Sequence, residues 1–154
     1  MRSVTRRQFL ERTTFSAAAV ALAGARPAEA QAGMFISLPP WAVARNVGWP
    51  EQAAYCASKA GLAAFTRAAA LDAAPYGVRV NCVCPAFTNT PLLQRWVEGA
   101  PDPDEALREA SLTQPLGRVA RPSEIAAAIA YLASDEAGFV TGVALPVDGG
   151  VTAR

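Results

Sequence analysis

The chain has 154 residues, 52% of them hydrophobic, with 14 basic and 13 acidic side chains and a formal charge of +1. That size supports one domain with its own core, and the near-balanced charge excludes the basic field that nucleic acid or acidic lipid requires. Histidine is absent, which removes Ser-His-Asp and Cys-His mechanisms and every histidine-based metal site.

Residues 1–32 read as an address rather than a folded element. Arg6-Arg7 followed by Gln8, Phe9 and Leu10 resembles the twin-arginine export signal, although Glu11 stands where that signal has lysine. A short apolar run over residues 15–24 follows, then Pro27 and two Ala-x-Ala cleavage sites, Ala28-Glu29-Ala30 and Ala30-Gln31-Ala32. The run is too short for a stable membrane span. The expected organisation is a twin-arginine signal over 1–32 and an exported, periplasmic domain over 33–154. The alternatives are an ordinary N-terminal helix, or translation from Met34 and a cytoplasmic product.

Residues 35–38 predict a short strand ended by Pro39-Pro40, and Asn46, Gly48 and Pro50 mark a loop. The alanine-rich stretch 52–74 predicts a long helix. Leu62, Phe65 and Ala69 have the spacing for burial, and Pro75 and Gly77 stop it. "VRVNCVCP" is a buried strand rich in valine and ended by Pro85. Its Cys82 and Cys84 share one face, where two small buried hydrophobes are a better reading than a metal or redox pair. With Cys56 the cysteine count is odd and lacks disulfide-framework spacing. Residues 89–112 predict a mobile flap of two short helices, interrupted by Pro101 and Pro103. A further helix opens with Pro122 in its first turn, and "GVALPVDGG" is a strand closed by a Gly-Gly turn. Helix, strand, helix and strand without tight hairpins predict an α/β fold whose parallel sheet is covered by helices.

Lys59 is the only lysine beside thirteen arginines. It follows Tyr55 by four residues, so both project from one face of the predicted helix. A free phenol, with a pKa of about 10, exchanges protons poorly at neutral pH. An ammonium within about 4–6 Å stabilises the phenolate and brings it toward the working range. Lysine does this as a compact charge with three donors, which arginine's planar fork does not reproduce. The bland alternative is a surface lysine beside a packed tyrosine.

The run "AAYCASKAGLAAFTRAAALDAAPYGVRVNCVCPAFTNTPLL" and the ending "PLGRVARPSEIAAAIAYLASDEAGFVTGVALPVDGG" carry several motifs in order. Over residues 43–152 they resemble the active-site helix, following strand and C-terminal part of the short-chain dehydrogenase/reductase family. The resemblance implies a Rossmann-like, doubly wound sheet and an oxidoreductase using NAD or NADP on a small-molecule carbonyl or alcohol. It implies Tyr55 as proton donor or acceptor and Lys59 as the group that lowers its pKa and binds the nicotinamide ribose. It places Pro85, Ala86, Thr88 and Thr90 at the carboxamide and phosphate side of the cofactor. It implies residues 89–99 as substrate lid and 142–150 as subunit contacts in a homo- or hetero-oligomer.

The sequence also departs from that pattern. The eleven glycines contain neither G-x-x-x-G-x-G nor G-x-G-x-x-G; Gly138 and Gly142 have the first spacing, but Ala144 occupies the third position. The family's carbonyl-polarising serine lies thirteen residues before the tyrosine, and that position is Ala42. Ser37, five residues earlier, replaces it only if the intervening loop is longer than usual. Ala86 stands where glycine lets the backbone pass the nicotinamide, and the structural asparagine of the family's first half has no counterpart. These features predict the C-terminal half of a doubly wound fold, lacking the glycine-rich cofactor-binding half. They leave the strand at 78–83 short of flanking strands and its apolar edge open to another chain. Beside the oxidoreductase reading stand a non-catalytic module that assembles with a full-length relative, and a non-functional gene fragment.

Overall fold

The computed structural model describes the backbone of residues 33–37 and, with side chains, residues 52–153. One parallel sheet is built from β1 (Gly33–Ser37), β2 (Arg79–Pro85) and β3 (Ala144–Val147), in the order β1-β2-β3. Gly33 pairs with Arg79 and Ser37 with Val83; on the other side Cys82 pairs with Ala144 and Pro85 with Val147. The helices are α1 (Ala53–Ala73), α2 (Pro91–Glu98), α3 (Pro103–Leu112) and α4 (Pro122–Ala133). The expected α/β architecture is therefore present. The first strand begins at Gly33, two residues earlier than expected, and pairs from there with Arg79 at the beginning of β2.

Alternation along β2 divides the core in two. Val80, Cys82 and Cys84 face α1, packing with Ala63, Ala70 and Ala73. Val83 faces the opposite side, against Ile125 and Leu132 of α4. Both cysteines are buried as apolar residues, in line with the bland reading. Ala63, Thr66, Ala70 and Ala73 form the buried line of α1; of the residues expected there, Leu62 and Ala69 pack partly buried beside it, whereas Phe65 is 37% exposed. Small side chains at the contact allow close approach of helix to sheet, which a phenylalanine on that line would prevent. A short 3-10 turn at Ala74–Tyr76 and Gly77, with a φ of 68°, end α1.

A second expectation is corrected at β2. It is not an edge left short of partners but the central strand, paired on both sides and buried along its whole length. Two polar side chains on its α4 face tie the layers together. The Arg79 guanidinium donates to the carbonyl oxygens of Leu132 at 2.8 Å, Ser134 at 3.0 Å and Val140 at 3.2 Å. It thus satisfies the C-terminal end of α4, where unpaired carbonyls and the negative end of the helix dipole gather. Asn81 donates to the Val140 carbonyl at 2.9 Å and accepts from the Val143 N–H at 3.1 Å, which fixes the lead-in to β3.

At its other end, α4 begins with a carboxylate clasp. The Arg121 N–H donates to Glu124 Oε2 at 2.7 Å, and the Arg118 guanidinium meets the same carboxylate through two bonds of 2.9 and 2.7 Å. These bonds hold the Glu124 carboxyl at a pKa of about 2, the Arg118 side chain being the larger cause.

Candidate active site

Packing fixes which end of the sheet α1 presents. Its last turns, at Ala70 and Ala73, lie beside Val78 and Val80 at the start of β2, and Ala63 lies beside Cys82 and Cys84 near its end. The helix therefore runs against the strands, and Tyr55, eight residues before Ala63, reaches about 12 Å further toward the C-terminal edge. Ligands of open α/β sheets bind at that edge.

There the predicted pair comes together. Lys59 Nζ lies 5.2 Å from the centre of the Tyr55 ring, within range of a cation–π contact. Both side chains are half-buried, and the phenol oxygen itself lies below the surface. Burial lowers the pKa of Lys59 from its ordinary value, since removal from water disfavours the ammonium. The Ser58 hydroxyl, also on this turn, donates to the Tyr55 carbonyl at 2.7 Å.

Pro85 ends β2 at the same edge, and Ala86 follows it, buried. Thr88 is 4% exposed, and its hydroxyl donates to the Ala86 carbonyl at 3.1 Å. Thr90 caps α2, accepting from the Leu93 N–H at 3.5 Å. In the chain as it stands, both threonines thus shape the 85–90 segment. Ser37 ends β1 opposite Val83; its side chain, position 42, residues 1–32 read as an export signal and residues 46–50 read as a loop lie outside the described residues.

Beyond β2 the predicted flap is present as α2 and α3. It has a small core of its own, Phe87, Leu93 and Ala110 with Val97 and Val119 against them. Trp96 packs on Phe87 with ring centres 6.1 Å apart. The flap is closed at its base, where the Asn89 N–H donates to the Ala120 carbonyl at 2.8 Å and the Ala120 N–H to the Phe87 carbonyl at 2.9 Å. The Asn89–Gly99 segment read as a lid therefore includes all of α2 but only half of the helical unit.

Three polar residues that matter to this architecture escaped the sequence reading: Arg79, Asn81 and Asp148. A charge and an amide inside the apolar run "VRVNCVC" were the available signal, since such groups persist in a buried strand when hydrogen-bonded. Among the described residues no group of three or more cysteine and carboxylate side chains could hold a metal ion. No described helix is long and apolar enough to cross a membrane.

Comparison with known proteins gives a consistent picture. A family model described as enoyl-(acyl carrier protein) reductase matches residues 4–152. The chain is 49% identical over 104 residues to L-fucose dehydrogenase of Oryctolagus cuniculus, covering 68% of this chain and 36% of that protein. It is 42% identical over 141 residues to 2-(S)-hydroxypropyl-CoM dehydrogenase 3 of Xanthobacter autotrophicus, covering 91% of this chain and 53% of that one. A solved short chain dehydrogenase family protein from Francisella tularensis superposes with a TM-score of 0.72 at 34% identity, over 82% of this chain and 53% of the other. The chain thus spans between 36% and 53% of the length of these relatives.

Proposed function

The chain belongs to the short-chain dehydrogenase/reductase family, and from that premise we propose that it serves hydride transfer between NAD or NADP and a small carbonyl or alcohol substrate. The single observation that carries this reading is the Lys59 ammonium held 5.2 Å from the Tyr55 ring at the C-terminal edge of the sheet. Tyr55 gives a proton to the substrate oxygen in reduction and takes it in oxidation. Lys59 stabilises the phenolate form, and its remaining N–H donors suit the hydroxyls of a ribose.

The donor set fits the nicotinamide-riboside end of such a cofactor, which supplies or accepts the hydride when bound. Tyr55 and Lys59 would hold that end, and Ala86 belongs to the segment that follows β2 at the same edge. Alanine where the family has glycine would add one methyl group on the cofactor side of that segment. The described residues offer no glycine-rich turn for the pyrophosphate, so binding of a whole dinucleotide draws on polypeptide outside them. Residues 142–150 would add subunit contacts to the assembly.

Titration of the purified chain with NADH and with NADPH, followed by nicotinamide fluorescence, tests the proposal. Saturable binding with one nucleotide, retained in Tyr55→Phe while turnover is abolished, is expected. No saturable binding with either nucleotide refutes catalysis by this chain alone. It then favours the second reading, a non-catalytic module that assembles with a full-length relative. The coverage of no more than 53% of those relatives is what keeps that reading in play.

Residues 4–32 carry two assignments as well. The twin-arginine pattern supports an export leader. The family match from residue 4 and the 141-residue alignment favour their inclusion in the domain.

A further inference from the structure

The exit of the flap is bound to the last turn of the chain. After α3, residues 114–117 form a turn in which the Gly117 N–H donates to the Gln114 carbonyl at 2.8 Å. The next contact is not local: the Leu116 N–H donates to the Gly149 carbonyl at 3.1 Å. Gly149 follows β3, whose end at Val147 lies level with Pro85, so this contact sits on the same edge of the sheet as the candidate active site. Gln114 is 2% exposed and packs directly against the turn.

The turn itself is organised by one buried carboxylate. Asp148 Oδ1 accepts from the Gly150 N–H at 3.0 Å, while Oδ2 accepts from the Thr152 N–H at 3.0 Å and the Thr152 hydroxyl at 2.6 Å. Bonds of this kind to a charged acceptor are the strong ones. They hold Gly149 and Gly150 at φ values of 62° and 92°, where only glycine sits without strain. Space for a side chain is also tight. A Cβ at Gly149 would lie 3.2 Å from Gln114 Cβ, and one at Gly150 would lie 3.2 Å from Pro115 Cγ. The two glycines let the turn seat flush against the flap exit.

We propose that Asp148 and Thr152 are positioning residues: their turn is a clasp that holds the flap exit at Leu116 and so sets where α2 and α3 stand at the site edge. The Phe87, Asn89 and Ala120 bonds join entry and exit at the base of the flap, and the Asp148 turn adds a second tie on the exit side, closer to α3. With both necks fastened, α2 and α3 move as one body and their approach to the site is limited by the clasp. The consequence for substrate rests on the oxidoreductase reading, with α2 as lid; the clasp itself does not.

Amide hydrogen exchange on the full chain, read by mass spectrometry, separates the two. In Thr152→Val and in Asp148→Asn, exchange in α2 and α3 should accelerate by at least about tenfold, with α1 and α4 unchanged. Thr152→Ser keeps the hydroxyl and should restore the original pattern. Unchanged exchange in the flap would overturn the proposal, and so would a uniform acceleration of all four helices, which marks general destabilisation. Because exchange needs no turnover, a failed clasp is read independently of a failed nucleotide titration. In any assembly that turns over, Thr152→Val should raise KM more than it lowers kcat, and Thr152→Ser should leave both as they were.

Discussion

Replacing Lys59 with methionine keeps most of the side-chain length and removes its charge. With the ammonium 5.2 Å from the Tyr55 ring centre, Coulomb's law gives about 0.8 kcal/mol between ammonium and phenolate at a dielectric constant of 80, and about 3.2 kcal/mol at 20. Those limits correspond to roughly fourfold and two-hundredfold changes in the proton affinity of the phenol. A half-buried pair belongs inside this window rather than at either end. The assay is a titration of ultraviolet phenolate absorbance, with each protein compared to its Tyr55→Phe counterpart so that Tyr76 and Tyr131 cancel. Lys59→Met should hold the Tyr55 proton at least about fourfold more tightly. Stability should change little, because two effects oppose. Burial lowers the pKa of Lys59, so its charged form is a cost to the folded chain. That cost is fully present below the folded value and disappears as pH rises through the ordinary lysine range. Methionine removes the cost and also a cation–π contact of about 0.5–1 kcal/mol. Urea unfolding should therefore differ by no more than about 1 kcal/mol, while turnover, where it is measured, falls by about 10²–10⁴. Identical phenol titrations with and without the ammonium would refute the reasoning. A stability loss above about 3 kcal/mol would instead make Lys59 a packing residue.

Arg79→Met should cost about 3–5 kcal/mol, because it removes a buried cation and leaves carbonyls of Leu132, Ser134 and Val140 without that donor; a loss under about 1 kcal/mol in urea unfolding would contradict the role assigned to it. Glu124, held at about 2 from an ordinary 4.5, contributes stability that is present above pH 4.5 and lost as pH falls through 2. Glu124→Gln should flatten the acid limb of the stability profile in that window, and parallel profiles for the two proteins would sink the assignment. A reporter fused to residues 1–32 should be exported only while Arg6 and Arg7 are intact; a reporter retained in the cytoplasm would leave the domain reading of that segment standing.

Local chemistry made parts of this molecule legible from sequence and left others hidden. Tyr55 and Lys59 could be paired because one helical turn fixes their separation, and no distant residue is needed to bring them together. The stop of α1 was equally local, written in Pro75 and Gly77. Leu62 and Ala69 were rightly expected against the core, but Phe65 was not, because apolar size was taken as the signal, whereas close helix–sheet packing selected Ala63, Thr66 and Ala70 and left Phe65 on the flank. The place of β2 at the centre of the sheet depends on β1 and β3, one upstream and the other some sixty residues downstream. No pattern within "VRVNCVCP" contains that fact.

The hidden residues share one property, and it bears on where function is sought. Arg79, Asn81 and Asp148 are polar groups buried with bonds chiefly to main-chain atoms, and of their side-chain partners only the Thr152 hydroxyl, bonded to Asp148, could have left a trace in the sequence. Arg79 and Asn81 lie on the α4 side of β2, away from Tyr55, and fasten the lead-in to β3; Asp148 lies where β3 ends, at the active edge. Two separate sets of bonds thus bracket β3, one at its lead-in behind the sheet and one at its end beside the site. A substitution at Asn81 should therefore disturb the entry to β3 first. Loss of order at Gly149 and Leu116 would follow from it, without any change in the distance between Tyr55 and Lys59 along their own helix.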